Sequence, residues 1–163
     1  MSSCDKVLSK IISCDDFLVH LSSIREKGLS VVFTNGCFDI LHKGHVQYLC
    51  QASAYGDVLV VGLNSDSSVR KLKGAGRPLQ DQESRSAVLA SLFFVDYVIL
   101  FHEDTPLELI SKIIPDVLIK GGDYKPDEIA GREVVEKNGG KVITIPFLKG
   151  YSTTSIIERL RDI

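Results

Sequence analysis

The segment Val31-Val32-Phe33-Thr34-Asn35-Gly36-Cys37-Phe38-Asp39 runs through Ile40 and Leu41 into His42-Lys43-Gly44-His45. An apolar run leads to a polar glycine turn, and the turn leads to two histidines three residues apart. That order predicts a buried strand feeding a helix, with both imidazoles on one face of the first helical turn. The first N–H groups of a helix have no partner inside it and the macrodipole is positive there, so an anion is favoured at this point. Two histidines there can hold a polyphosphate and stabilise the charge that builds as phosphorus is attacked. A surface helix also carries such pairs by chance; the strand, the turn and Phe38 ahead of the pair argue against chance. Gly44 lets a ligand approach where a side chain would block it.

Outward from this stretch, short apolar runs alternate with helical patterns. Strands are predicted at Val31–Asn35, Val58–Leu63, Tyr97–Phe101, Val117–Lys120 and Val142–Ile145. Helices are predicted near His45–Tyr55, Asp81–Ser91, Pro106–Ile114, Asp127–Asn138 and Thr153–Arg161. Residues 1–30 read as a helical lead-in, with Phe17, Leu18, Leu21 and Ile24 at three- and four-residue spacing and Gly28 as the stop. Residues 31–163 then read as one α/β domain. Continuous apolar strands separated by helices imply a five-stranded, parallel, Rossmann-like doubly wound sheet with helices on both faces. Such a sheet binds ligands at the carboxyl ends of its strands, where the strand order reverses. The segments just after the strands are polar or glycine-rich, as a site there requires: Thr34-Asn35-Gly36, Asn64-Ser65-Asp66, Gly121-Gly122-Asp123-Tyr124 and Pro146 to Ser155. Lys71 to Gln82 reads as a mobile loop, and Asp104-Thr105-Pro106 as a helix cap with Pro in the first turn.

A chain of 163 residues, 44% hydrophobic and 25% charged, suits one globular domain. Its net charge of −2 gives no global basic field for nucleic acid or an anionic membrane, though a local basic site remains open. Cys4, Cys14, Cys37 and Cys50 lack metal-like spacing and read as free thiols of a reducing compartment. With neither a secretory leader nor an apolar run of membrane length, the expected location is the cytoplasm. Cys37 sits in the turn, but no base stands beside it in sequence, so packing is its expected role.

Three segments together resemble the cytidylyltransferase-like nucleotidyltransferases: Asn35-Gly36-Cys37-Phe38-Asp39 running into His42-Lys43-Gly44-His45, then Lys120-Gly121-Gly122-Asp123-Tyr124, then Gly150-Tyr151-Ser152-Thr153-Thr154-Ser155-Ile156. Within that family the chain is similar to the adenylyltransferases of ADP-heptose synthesis. Asn64-Ser65-Asp66, Leu72-Lys73-Gly74, Arg77-Pro78, Glu103-Asp104-Thr105-Pro106 and Lys120 through Pro126 carry this finer likeness, which covers residue 28 to the end. Those enzymes usually form one domain of a two-domain protein with a sugar kinase; this sequence resembles the free-standing form.

The resemblance implies transfer of AMP from ATP to D-glycero-β-D-manno-heptose 1-phosphate. The products would be pyrophosphate and ADP-heptose, which feeds lipopolysaccharide inner-core assembly. A glycerol-3-phosphate cytidylyltransferase and a nucleotide-binding regulatory module without turnover are the alternatives. A dinucleotide-binding dehydrogenase is not, since no Gly-x-Gly-x-x-Gly follows the first strand. The chemistry fits the residues. A phosphate monoester has a second pKa of about 6 and is already an ionised nucleophile at neutral pH, so no general base is required. Positioning and cationic donors are the whole task.

The resemblance assigns His45 to the α-phosphate and His42 to the phosphates of the leaving group, with Lys43 between them facing solvent. Lys73, beside Gly74 in the expected loop, is the third candidate catalytic residue, as part of a closing lid; a solvated surface cation is the alternative. Thr34, Asn35, Gly36, Phe38 and Gly44 are expected at the nucleotide, with Gly121, Asp123 and Tyr124 flanking base and ribose. Ser152, Thr153 and Thr154 are expected at the β- and γ-phosphates, although Ser or Thr there also serves purely as an N-cap. Relatives often carry Arg shortly before this triplet, where the present chain has Lys149. On the substrate side stand Asp39, Asn64, Arg77, Arg85 and Lys120. Asp39 would orient a histidine or the turn, or help hold Mg²⁺; Arg85 would meet the acceptor phosphate; Lys120 would meet phosphate or pair with an acid. His102 and Glu103 would contact the acceptor or an adjoining subunit. Mg²⁺ is expected to arrive with ATP, without a dedicated protein cage. The expected partners are ATP, a sugar phosphate and a second copy in a symmetric dimer.

Overall fold

The computed structural model describes residues 2–122 and 128–161. In chain order its elements are α1 (Ser3–Leu8), β1 (Ile11–Ile12), α2 (Cys14–Glu26), β2 (Val31–Gly36), α3 (Lys43–Ser53), β3 (Val58–Asn64), α4 (Asp66–Lys73), α5 (Gln82–Ala90), β4 (Tyr97–Phe101), α6 (Leu107–Ile113), β5 (Val117–Gly121), α7 (Arg132–Lys137), β6 (Lys141–Ile145) and α8 (Thr153–Arg161). The strands form one sheet in the order β1-β4-β3-β2-β5-β6, with every pairing parallel. Winding reverses between β2 and β5, so the crevice of this doubly wound sheet opens above those two strands.

The alternation of side chains along a strand explains why both faces are covered. Val31 and Phe33 of β2 pack with Phe17, Leu21 and Ile24 of α2 and with Ile110 and Ile113 of α6. Val32, between them, joins the opposite cluster with Leu49 and Ala52 of α3 and Leu89 and Ala90 of α5. Residues such as Phe33 and Leu49 are fully buried; truncating one to alanine costs about 2–5 kcal/mol.

The parallel α/β architecture is the expected one, with six strands in place of five. The extra strand lies in the lead-in, where Ile11 and Ile12 pair with Val98 and Ile99 at the sheet edge. Residues 1–30 thus supply an edge strand as well as α2. The expected loop from Lys71 begins inside a helix, since α4 runs to Lys73. Its frame is local: Ser65 accepts from the Ser68 N–H at one end and Gly74 stops the helix at the other. Pro106 occupies the N-cap of α6, which has no side-chain cap, so Asp104 and Thr105 do not play that part. The helix expected from Asp127 begins at Arg132; Asp127 itself lies outside the described residues. Among the described residues no helix is long and apolar enough to cross a membrane.

Candidate active site

Between β2 and α3 the backbone passes through Phe38 at φ 44. A left-handed phenylalanine is costly, by about 1–2 kcal/mol, and persists where its surroundings fix it. Here they do. The ring of Phe38 is buried, edge-on to His45 with centroids 5.2 Å apart. On one side Arg85 Nη1 donates to the Cys37 carbonyl at 2.7 Å. On the other, the Asp39 carboxylate accepts from Leu79 N at 2.8 Å, Gln80 N at 3.0 Å and Arg77 Nε at 2.5 Å. Burial alone would raise the Asp39 carboxyl, but the Gln80 and Leu79 N–H donors and Arg77 outweigh it and hold it below the usual carboxylate range.

Three expected substrate or nucleotide contacts are therefore reassigned. Asp39, 2% exposed, has both oxygens engaged in fastening residues 77–80 to the turn. It orients the turn, as one reading had it, from a place in the wall of the cleft described below. Arg85 is 1% exposed and donates to Asp66 Oδ1 at 2.8 Å and Gln80 O at 3.1 Å besides Cys37. A guanidinium so enclosed cannot meet an acceptor. Thr34 is fully buried, sharing a 2.6 Å hydrogen bond with the Tyr48 hydroxyl.

The two histidines stack, with ring centroids 3.7 Å apart and planes 17° from parallel. His42 is the N-cap of α3, its Nδ1 accepting from His45 N at 3.3 Å. An accepting Nδ1 carries no proton, so the neutral ring bears its hydrogen on Nε2. Burial pushes His42 below its ordinary pKa. His45 falls to about 4, from burial first and the neighbouring His42 second, with the Ile40 carbonyl opposing both. The pair is thus neutral at pH 7. Gly44 leaves room beside the stack: a β-carbon there would stand 3.1 Å from the His42 ring and 3.2 Å from Tyr151 Cβ, tighter than an ordinary contact. Lys43 is exposed as expected, its ammonium 5.4 Å from the Tyr151 ring.

These groups line a cleft of about 720 Å³ above the β2–β5 reversal. It brings together His42, His45, Lys73, Asn35, Gly36, Phe38, Asp39, Gly44, Asn64, Arg77, Lys120, Gly121, Ser152, Thr153 and Thr154. Arg85 and Thr34 are not among its walls. Asp123 and Tyr124 lie outside the described residues. Lys73 reaches the cleft as the last residue of α4 and not from a loop. Lys120 Nζ donates to Asn35 Oδ1 at 2.6 Å, and burial depresses its pKa. Asn64 is buried and donates to Ser68 Oγ at 2.9 Å. Cys37 packs beside Asn64, and burial pushes its thiol up, away from nucleophilic use.

The start of α8 faces the same cleft. Ser152 Oγ accepts from Ser155 N at 3.0 Å, the N-cap role, and Thr153 Oγ1 donates to the Ile40 carbonyl at 3.5 Å. Two helix N-termini with unpaired N–H groups therefore converge on one space walled by Lys73 and Lys120. That arrangement suits a polyanion. Tyr48, Asp104, Thr105, Glu128, Phe147 and Tyr151 also line the cleft without having been expected there. Nothing in their spacing separates them from ordinary surface residues; only the strand-end rule, which marked Pro146 to Ser155, pointed at the last two.

Residues 33–159 match the family model described as cytidylyltransferase-like. Among curated proteins the chain is similar to "Bifunctional protein HldE" of Trichlorobacter lovleyi, 54% identical over 157 residues, 96% of this chain and 30% of that protein. Its namesake from Nitrobacter hamburgensis is 56% identical over 147 residues, 90% of this chain and again 30% of that protein. The chain thus spans about a third of the length of these relatives. Among solved structures, the lipopolysaccharide core biosynthesis protein from Thermoplasma volcanium superposes with a TM-score of 0.61 at 36% identity, over 77% of this chain and all of that one. The pantoate-beta-alanine ligase from Francisella tularensis shares the fold, with a TM-score of 0.56 at 17% identity over 94% of this chain and 78% of that one. The family match begins inside β2 and ends inside α8, taking in every wall of the cleft, and on it the chain belongs to the cytidylyltransferase-like family.

Proposed function

We propose that this chain transfers AMP from ATP to D-glycero-β-D-manno-heptose 1-phosphate, releasing pyrophosphate and forming ADP-heptose for lipopolysaccharide inner-core assembly. The observation that carries this reading is the convergence of two helix N-termini, a stacked neutral histidine pair and two lysines on one cleft. Identity above 50% to the HldE proteins supports the choice of ATP and heptose over CTP and glycerol phosphate.

An oxygen of the sugar phosphate attacks the α-phosphorus. The new P–O bond forms as the bond to the bridging oxygen breaks, and pyrophosphate leaves with the electron pair. The acceptor is already ionised, so no group removes a proton from it. His42 Nε2–H donates to the leaving phosphates and His45 to the α-phosphoryl oxygens, where charge grows in the transition state. Lys73 and Lys120 supply fixed positive charge, and the start of α8 holds the β- and γ-phosphates. Among the described residues no group of three or more His, Cys, Asp and Glu side chains is arranged to hold a metal, and Asp39 is already saturated. Mg²⁺ would arrive with ATP and offset charge on the triphosphate, a task that asks for no dedicated protein cage. The reading includes a cytoplasmic location and a two-fold dimer, the latter open to light scattering.

The test is pyrophosphate release in Mg²⁺ with ATP or CTP crossed against heptose 1-phosphate or glycerol 3-phosphate. Turnover confined to ATP with the heptose is expected. Turnover confined to CTP with glycerol phosphate replaces the substrates and keeps the mechanism. Silence in all four, with nucleotide still bound, makes the chain a binding module.

A further inference from the structure

We propose that Phe147 is the stacking platform for the nucleobase, an inference that rests on the nucleotidyl-transfer reading. Phe147 follows β6 by two residues, lines the cleft and is 66% exposed, although it is one of the largest apolar side chains in the molecule. Its ring sits on the bare backbone of Gly121 and Gly122. A β-carbon on Gly121 would lie 2.6 Å from Cε1, and one on Gly122 would lie 2.7 Å from Cε2, both closer than real contacts allow. The two glycines let the ring settle there, and the rest of it remains open to the cleft.

The walls divide by chemistry. Behind β3 and β4 stand Lys73, Arg77, Asp104 and Thr105, which suit a phosphate and hydroxyl groups. The histidine pair and the start of α8 hold the middle, where the triphosphate belongs. The wing behind β5 and β6 carries Lys120 and Glu128 and, beside them, glycine backbone and the one exposed phenylalanine ring among the cleft walls. Of the two substrates, one is a polyol phosphate and the other carries a flat π-system, and the flat ring matches the aromatic wing. Tyr151 is not a second platform: it lies over Gly44 and beside the Lys43 ammonium, on the phosphate side. A purine overlaps the ring over more area than a pyrimidine, so Phe147 favours ATP over CTP.

Because the side chain is exposed, it can be changed without disturbing the core. Phe147→Ala is expected to raise the KM for ATP about tenfold while kcat and the KM for sugar phosphate stay within about twofold, with Phe147→Tyr restoring the parent value. The chain has no tryptophan, so Phe147→Trp introduces a single indole. ATP should quench its fluorescence, and inorganic tripolyphosphate should not. Quenching by ATP needs no acceptor, so it stands even if the assigned sugar phosphate is wrong. The proposal is overturned if Phe147→Ala leaves the KM for ATP within twofold, if the shift falls on the sugar phosphate, or if ATP shown by calorimetry to be bound leaves the indole unchanged.

Discussion

The N-terminus of α3 is fixed from several sides, by Arg85 on Cys37, by Asp39 on residues 77–80 and by the buried ring of Phe38. That of α8 meets the α3 turn through the Thr153 hydroxyl on the Ile40 carbonyl, at 3.5 Å, and is otherwise capped by its own Ser152. Both helix ends offer N–H groups to the same cleft. The difference teaches which part of the reaction demands accurate placement. In the proposed reaction His45 meets the charge that grows on the α-phosphoryl oxygens and His42 that on the leaving phosphates, each through one specific imidazole nitrogen, and a stiff support suits that task. A triphosphate tail spreads its charge over many oxygens and tolerates a looser hold.

The sharpest way to break this comparison is to remove one donor from each end. His45→Ala is expected to lower kcat about 10²–10³-fold, as loss of one transition-state donor does elsewhere; steady-state kinetics should find Thr154→Ala far milder, mainly in the KM for ATP. Equal losses would mean that the two ends share the same work. Next in size is the support itself. Arg85→Leu leaves the Cys37 and Gln80 carbonyls and Asp66 without their donor, and urea unfolding should report about 3 kcal/mol of lost stability. Arg85→Lys should recover little of it, since an ammonium cannot reach three acceptors in a plane.

Acid offers a third approach. His45 titrates at about 4 in the native state against 6.5 in the unfolded chain. Between those values the unfolded chain binds the extra proton, so stability is complete above about pH 6.5, falls as pH drops towards 4 and levels off below. The full loss amounts to about 3 kcal/mol. Urea midpoints at pH 7 and pH 4.5 would reveal it, and His45→Gln should flatten that part of the profile. The smallest effect belongs to the looser end: Ser152→Ala removes one cap and should cost about 1 kcal/mol, read as fraying of α8 by circular dichroism.

Most of the sheet was legible because β2 to β5 each contain a run of three or more apolar residues and β6 a Val-Ile pair before Thr144 and Ile145. Ile11–Ile12 was not, being two residues beside a helical pattern and recognisable as a strand only once Val98 and Ile99 lie next to them. Helix α4 carries little apolar periodicity, with Val69 its buried apolar residue, so its ends had to be found from Ser65 and Gly74 instead. For the site, the histidines and the Ser-Thr-Thr triplet announce themselves by position at helix starts. Arg85 misleads, since sequence says that a cation is present and not whether an Asp66 will claim it. Asp104 and Thr105 enter the cleft through the folding of distant strand ends, which no local pattern records.

His42 has a further consequence, in the history of such a chain. The same ring closes α3 and, in the proposed reaction, faces the phosphates, but only the second duty needs an imidazole. Asparagine, serine or aspartate caps a helix at least as well. A duplicated copy that acquired His42→Asn would keep its fold and its anion-binding helix ends while losing a donor to the leaving group. Conversion of such an enzyme into a silent receptor for its own nucleotide is therefore a single replacement away, with no defect in folding to expose the change to selection.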